Sequence, residues 1–419
     1  MRKPISLALT AVVILGAVTL QGQSSRAADK VTVTFWDTAN DTEQPVMKQL
    51  VADCMTANPN IDVKYEPQPF DQTQTKFNTA AQANNAPDIL RSEIAWTPQF
   101  ADAGYLADIT DKVSKDDLAD FLPAPLAYNM YKGKEYGIPQ VTDAPAMLYN
   151  KAAFKAAGLD PDKPPKTMDD FLKAAQALTK ADGSQYGYML TDGSYFFQPF
   201  MWAFGGGLID NDLKIHIADK GTVDALHFVL DLRDKYKVMP KDYDPANQYN
   251  NAMTAFKAGK VAILFNGPWA RQDILTGDAF KDSTNLGVAP IPAGPDGKQG
   301  SPVGGHNYVI YAGSAHIDES YTIISCLDSA ASQIKQAKAN GTLPTRQSAY
   351  KDPAMQSDPI TQGFLSQMKV ATNRPVIPAG GQIYTAFDKD WSAVLTGSMT
   401  PEDAVKDIEK AWTDLLAAK

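Results

Sequence analysis

The chain has 419 residues, enough for two or three domains. Its 44% hydrophobic and 21% charged residues are those of an ordinary globular protein. A formal net charge of −9, with no Lys/Arg cluster interleaved with aromatics, argues against nucleic acid and anionic membranes and fits neutral or cationic partners.

The N-terminus reads as a targeting segment. Arg2 and Lys3 precede a mostly apolar run from Leu7 to Val18, and Ser25, Arg26 and Ala27 match a small-x-small cleavage site. Residues 1–27 are therefore expected to be a signal peptide, with the mature start near Ala28. No other stretch approaches 18 consecutive apolar residues. Two cysteines follow, Cys54 and Cys326, and in an exported chain such a pair is expected to form a disulfide.

Val31 to Trp36 alternates as a strand, and a polar loop runs from Asp37 to Asp41. Met47, Leu50, Val51 and Cys54 then share one helical face. Ile61–Tyr65 reads as a strand, Phe77–Ala83 as a helix and Asp88–Leu90 as a third strand. This alternation predicts an α/β domain with a largely parallel sheet. Ligands sit at the carboxyl ends of such strands, which points to the loops 37–41 and 91–96.

Residues 134–151, KEYGIPQVTDAPAMLYNK, form the stretch around which the chain is organised. Two extended apolar runs flank Thr142 and Asp143. A carboxylate there is costly if buried unpaired, so Asp143 is expected to face water or a polar ligand. Beyond it, Thr167 with Asp170 caps a helix whose apolar face includes Phe171, Leu172 and Leu178. Residues 193–207 pack six aromatics into a helical segment ended by three glycines, and most of those rings read as core. Thr222–Tyr236 is amphipathic. Val261–Phe265 is a continuous apolar strand running into Asn266, Gly267, Pro268 and Trp269, which places Trp269 at a strand's carboxyl end. Leu286–Ile291 reads as a strand. Gly304 and Gly305 allow close backbone approach before His306. The last third is helical, with Thr400 and Pro401 opening the final helix.

The four histidines lack metal-ligand spacing, so no metal and no cofactor is expected. No nucleophile elbow, dinucleotide loop or P-loop occurs. Asp210, Asn211 and Asp212 start like a calcium loop but lack its later Gly and Glu, and read as a turn. Paired carboxylates of a glycoside hydrolase leave no local signature, and Glu93 and Asp143 are the candidates for that alternative.

Five motifs, in order, carry a resemblance over most of the mature chain: APDIL (86–90), FADAGYL (100–106), YGIP (136–139) through LYNK (148–151), NGPW (266–269) and RPVIP (374–378). The chain resembles the extracytoplasmic sugar-binding proteins of bacterial ABC importers, of the maltose/maltodextrin-binding type. The resemblance implies an α/β, two-lobed periplasmic binding protein fold (type II), with a ligand cleft between lobes joined by crossing segments. It implies a first lobe of 28–142 plus 304–330 and a second of 143–303 plus 331–419. The lipid-anchored Cys of many relatives is absent, since Gln23 follows Gly22, so a free periplasmic protein is expected. On matching positions, Asp143 is the crossing-strand acid and Trp269 the stacking Trp. Tyr195 and Tyr384 are further stacking aromatics; the family more often has Trp at the latter position. Glu93 and Trp96 fall in the loop after the third strand at a departing spacing. Asn40, Asp41 and Gln74 align with the near rim, and Gly305 and His306 are added candidates. Both cysteines map to the first lobe.

The chemistry fits independently. Pyranose C–H faces bury well against aromatic rings, and carboxylates accept charge-assisted bonds from hydroxyls. The expected partners are an oligosaccharide and the transmembrane subunits of an ABC permease, with the protein a monomer that is not an enzyme. The expected ligand is maltose, a short maltodextrin or a related α-glucoside. The alternatives are another oligosaccharide or trehalose, and a secreted glycoside hydrolase.

Overall fold

Val33 and Phe35 seat one face of β1 (Val31–Asp37) in a core, while Thr32, just before them, is exposed on the other face. The computed structural model describes Met1 and residues 30–210 and 212–418. The expected leader beyond Met1, and Asn211 of the acidic turn, lie outside the described residues.

β1 pairs in parallel with β2 (Ile61–Pro67) and β3 (Ile89–Glu93), and helices Gln44–Ala57 and Phe70–Gln82 form the crossovers. The second helix begins seven residues before the periodicity suggested. Its buried positions Thr73, Phe77 and Ala81 keep helical spacing, but Thr73 hides the pattern. β3 also runs on through Glu93, so the carboxyl-end loop begins there and not at Arg91.

A hairpin of β4 (Met130–Tyr131) and β5 (Lys134–Glu135) precedes β6 (Gly137–Asp143). The chain then enters a second sheet through β7 (Ala146–Asn150), β8 (Tyr186–Tyr188), β9 (Val261–Asn266) and β10 (Leu286–Ala289). It returns through β11 (Gly304–Ile310) and β12 (Leu343–Pro344). The large sheet has the order β12-β6-β11-β3-β1-β2, and the small one β10-β7-β9-β8. The expected strand to Ile291 ends at Ala289.

Helices cover both faces of each sheet. Gln44–Ala57 and Ile317–Leu327 pack against one face of the large sheet, Phe70–Gln82 and Trp96–Asp102 against the other. The small sheet packs on one face against Met168–Leu178, Ser194–Ala203 and Lys220–Asp234, together with Ile383–Leu395 and Pro401–Ala417. Its other face meets Gln248–Lys257 and Pro359–Met368. The expected change of lobe after residue 330 does not fit this packing. Helix Ala330–Asn340 lies against Gln44–Ala57, Lys335 pairs with Asp53, and Leu343 and Pro344 bond to β6 in the large sheet. Among the described residues no helix is long and apolar enough to cross a membrane.

Cys54 and Cys326 are joined in a disulfide that ties Gln44–Ala57 to Ile317–Leu327 across 272 residues of sequence. Both helices pack on the same sheet. The closed loop is long, so the bond constrains the unfolded chain strongly, by about 5 kcal/mol on chain-entropy grounds. Thiol titration of denatured, unreduced protein should find no free thiol. Cys326→Ser together with Cys54→Ser should lower the ligand-free melting temperature markedly. An unchanged melting temperature would show that the loop entropy is offset elsewhere.

Candidate functional site

β6 and β11 leave the large sheet side by side, with Asp143 opposite Gly304 and Thr142 opposite Gly305. A β-carbon on Gly304 would lie 2.2 Å from Asp143 Oδ1 and 2.6 Å from the Tyr195 hydroxyl. One on Gly305, at φ +136°, would lie 2.1 Å from the Val141 carbonyl oxygen. Glycine is therefore required at both positions for the acid, the tyrosine and the strands to meet. A register shift between His306 and Asn307 opposes Pro139, which has no N–H to give the ladder.

Asp143 is only 8% exposed and accepts no hydrogen bond from the described residues. Burial pushes its carboxyl up from 3.8 to about 7, against the opposing pull of Arg374. Of the two surroundings expected for it, water or a polar ligand, bulk water is largely excluded by this burial; its Oδ1 lies with the Tyr195 hydroxyl against Gly304.

Glu93 ends β3. One carboxylate oxygen accepts the Ala95 N–H at 2.9 Å, and the other pairs with Arg374. Arg374 Nε also donates to the Val303 carbonyl at 3.0 Å. Its guanidinium sits over two rings, 5.5 Å from the Tyr195 centroid and 5.8 Å from that of Tyr384. Tyr384 in turn receives the Gln198 amide at 3.0 Å.

Trp269 lies in the turn Pro268–Ala270 after β9, half-buried, with its Nε1 donating to the Tyr249 hydroxyl at 3.1 Å. Its ring folds over Gly267, where a β-carbon would come within 1.8 Å of it. The NGPW motif thus does two things: the glycine makes room for the ring, and the proline stiffens the turn.

On the large-sheet side Trp96 is buried, and its ring stacks on Phe70 at 5.3 Å. Phe70 is 49% exposed, so the aromatic face offered there belongs to Phe70, a residue the sequence reading passed over. His306 meets the Phe70 ring edge-on at 5.9 Å. Among the described residues neither His306 ring nitrogen has a partner, and burial together with Arg91 and Arg374 holds its pKa well below the usual range. Gln74 donates to Gln99 at 2.8 Å and approaches Gly381.

Asn40 and Asp41 are exposed in the β1 loop and are not brought together with these groups. The Asn40 side chain instead accepts the N–H groups of Thr42 and Glu43, both at 3.0 Å. Beneath that loop lies a buried charge network absent from the sequence reading. Arg91 lies 3.8 Å from Asp37 and 3.6 Å from Glu43, and Tyr65 donates to Asp37 at 2.7 Å. Asp143, Glu93, Arg374, Tyr195 and Tyr384 therefore form one connected cluster; Trp269 reaches it through Phe196, whose ring meets both Tyr195 and Trp269.

The bacterial extracellular solute-binding protein family matches residues 38–334 of this chain. The GacH receptor of Streptomyces glaucescens GLA.O, solved unliganded and with acarbose and an acarbose homolog, is 37% identical. It superposes with a TM-score of 0.87 over 93% of this chain and 99% of its own. Maltose-bound MalE3 of T. maritima is 26% identical, with a TM-score of 0.83 over 92% of this chain and 100% of its own. The maltotriose-binding protein of Pyrococcus abyssi is 26% identical over 358 residues, 84% of this chain and 75% of that protein. These likenesses cover both sheets and the segments between them, and they show a two-lobed fold; the chain belongs to the bacterial extracellular solute-binding proteins.

Proposed function

We propose that the protein is the sugar-capturing subunit of an ABC importer, binding maltose, a short maltodextrin or a related α-glucoside between its lobes. The observation that carries this reading is the buried Asp143 carboxyl, which accepts no hydrogen bond from the described residues, beside the Tyr195 hydroxyl, with Arg374 over the Tyr195 and Tyr384 rings. Rings can bury the C–H faces of a pyranose while the acid accepts a hydroxyl. Relatives named for maltotriose, maltose and acarbose support the ligand class.

In this reading the mature protein is a periplasmic monomer, released after residue 27, which carries sugar to the permease and does no chemistry on it. The first lobe comprises 28–142 plus 304–330, extended to Pro344 by its pairing with β6; the second comprises 143–303 and the C-terminal remainder. Hinge closure acts at the crossings after Asp143, before Gly304 and after Pro344. Glucose released from maltotriose by the pure protein would replace this reading with a hydrolase, for which Asp143 and Glu93 supply the carboxyl pair.

Trp269→Ala should weaken maltotriose binding by roughly 2–4 kcal/mol, as loss of a central aromatic anchor does. Asp143→Asn should cost about 1–3 kcal/mol, because an amide oxygen still accepts one bond. Neither should collapse the ligand-free melting temperature. Wild-type affinity with a sharply lowered melting temperature would make Trp269 a core residue and move the site.

The pH dependence has a definite sign. The Asp143 carboxyl is raised from 3.8 to about 7 in the folded protein, so the folded state holds this proton longer than the unfolded chain. That one group therefore makes the ligand-free fold less stable as pH rises from about 4 to about 7. A sugar hydroxyl donates to the ionised form and favours it. Affinity should rise about tenfold between pH 6 and pH 8, with proton release on binding near pH 7. Asp143→Asn should flatten that profile. Calorimetry in buffers of different ionisation enthalpy measures both effects, and a flat wild-type profile would remove Asp143 from the binding contacts.

A further inference from the structure

The Thr372–Val376 segment brings Arg374 to the Tyr195 and Tyr384 rings, and it also floors a cavity of about 620 Å³. None of the cleft aromatics lines that cavity; Arg374 is the shared residue. Ala127 closes it from the large-sheet side, and Trp202, Asp210 and His216 wall it on the other. Its volume lies within the roughly 300–1,000 Å³ of small-molecule sites.

The lining is chemically selective. Trp202 is half-buried and pinned against Gly300, where a β-carbon would stand 2.7 Å from its own Cβ. His216 is locked between two acids, with one ring nitrogen 2.9 Å from Asp210 and the other 3.0 Å from Asp219. It is thus unavailable to an anionic ligand. The hydroxyl of Thr372 and the amide of Asn373 are exposed and bonded to none of the described residues. An indole face, a fixed carboxylate and free neutral donors and acceptors match a sugar ring better than an anion, a cation or a lipid tail.

We propose that this cavity is an accessory carbohydrate subsite for a neutral hexose or disaccharide unit, filled by a second free sugar or by the far end of a long dextrin. The inference rests on the reading of the protein as a sugar binder. Calorimetry with maltose and with maltoheptaose tests it on the wild type, Trp202→Ala, Asn373→Ala and Trp269→Ala. Two maltose molecules per chain, the weaker event lost at least fivefold in Trp202→Ala and Asn373→Ala, identify a free second sugar. One maltoheptaose per chain, weakened at least fivefold by those variants while maltose is unaffected, identifies the end of a long chain. The Asn373 side chain is exposed, so its variant reports even if Trp202→Ala fails to fold. One site for each sugar, with neither affinity changed by Asn373→Ala or Trp202→Ala, overturns the subsite. If Trp269→Ala removes the tight event in that same experiment, the cleft reading stands while this one fails. If Trp269→Ala removes nothing, the cleft reading has failed as well.

Discussion

The site depends on the pairing of β6 with β11 at their ends. Two strands that leave the large sheet together must lie within backbone hydrogen-bond distance, yet an acid and a tyrosine must also fit against them. Glycine at 304 and 305 resolves the conflict by removing the side chains that would fill the space. Any other residue at 304 would push Asp143 and Tyr195 away from each other or part the strands. In the proposed function, the binding cleft and the hinge between the lobes therefore share one piece of backbone, and a change made for the ligand is also a change to the hinge.

Around that backbone the large-sheet side of the cleft is held by buried charge. Arg91, Asp37, Glu43 and Tyr65 sit below the β1 loop, and Glu93 with Arg374 sits beside the acid. Such pairs add little to stability, because desolvation offsets most of their attraction. Breaking one is costly, since it leaves a lone buried charge. Their effect is to fix loop positions and not to deepen the fold. The Glu93–Arg374 pair also joins β3 to a segment 281 residues later in the chain, which sets where the Tyr195 and Tyr384 rings stand relative to the large sheet.

Much of this was legible in the sequence where the signal was local. The cap at Thr167 accepts the Asp170 N–H at 3.1 Å, β9 runs into the NGPW turn, and the strand–helix alternation gave the parallel half of the large sheet. The hidden parts are those set by distant contacts. Trp96 carries the composition of a platform, but Phe70, in a polar stretch without apolar period, covers it. Arg374 stood inside a quoted motif, and its role appears only once Glu93 is found beside it. β12 has two residues, too few for any periodicity, so the late return to the large sheet left no mark.

The three aromatic residues on the small-sheet side share a further property. Each is tied at its polar end: Trp269 to Tyr249, Tyr384 to Gln198, and Tyr195 to the Pro302 carbonyl at 3.4 Å. The Tyr384 hydroxyl is the group that the Gln198 amide binds. A ring fixed before the ligand arrives loses little rotamer freedom on stacking, and the full gain of burying a sugar face remains. Phe70 has no polar end to tie; its ring stacks on Trp96 and meets the edge of His306, and half of its surface is open. The two walls of the cleft thus differ in kind. In the proposed function, the preorganised wall would set which sugar fits, whereas the other would adjust as the lobes close, a division suited to a protein that chooses its ligand before closing and releases it when opened.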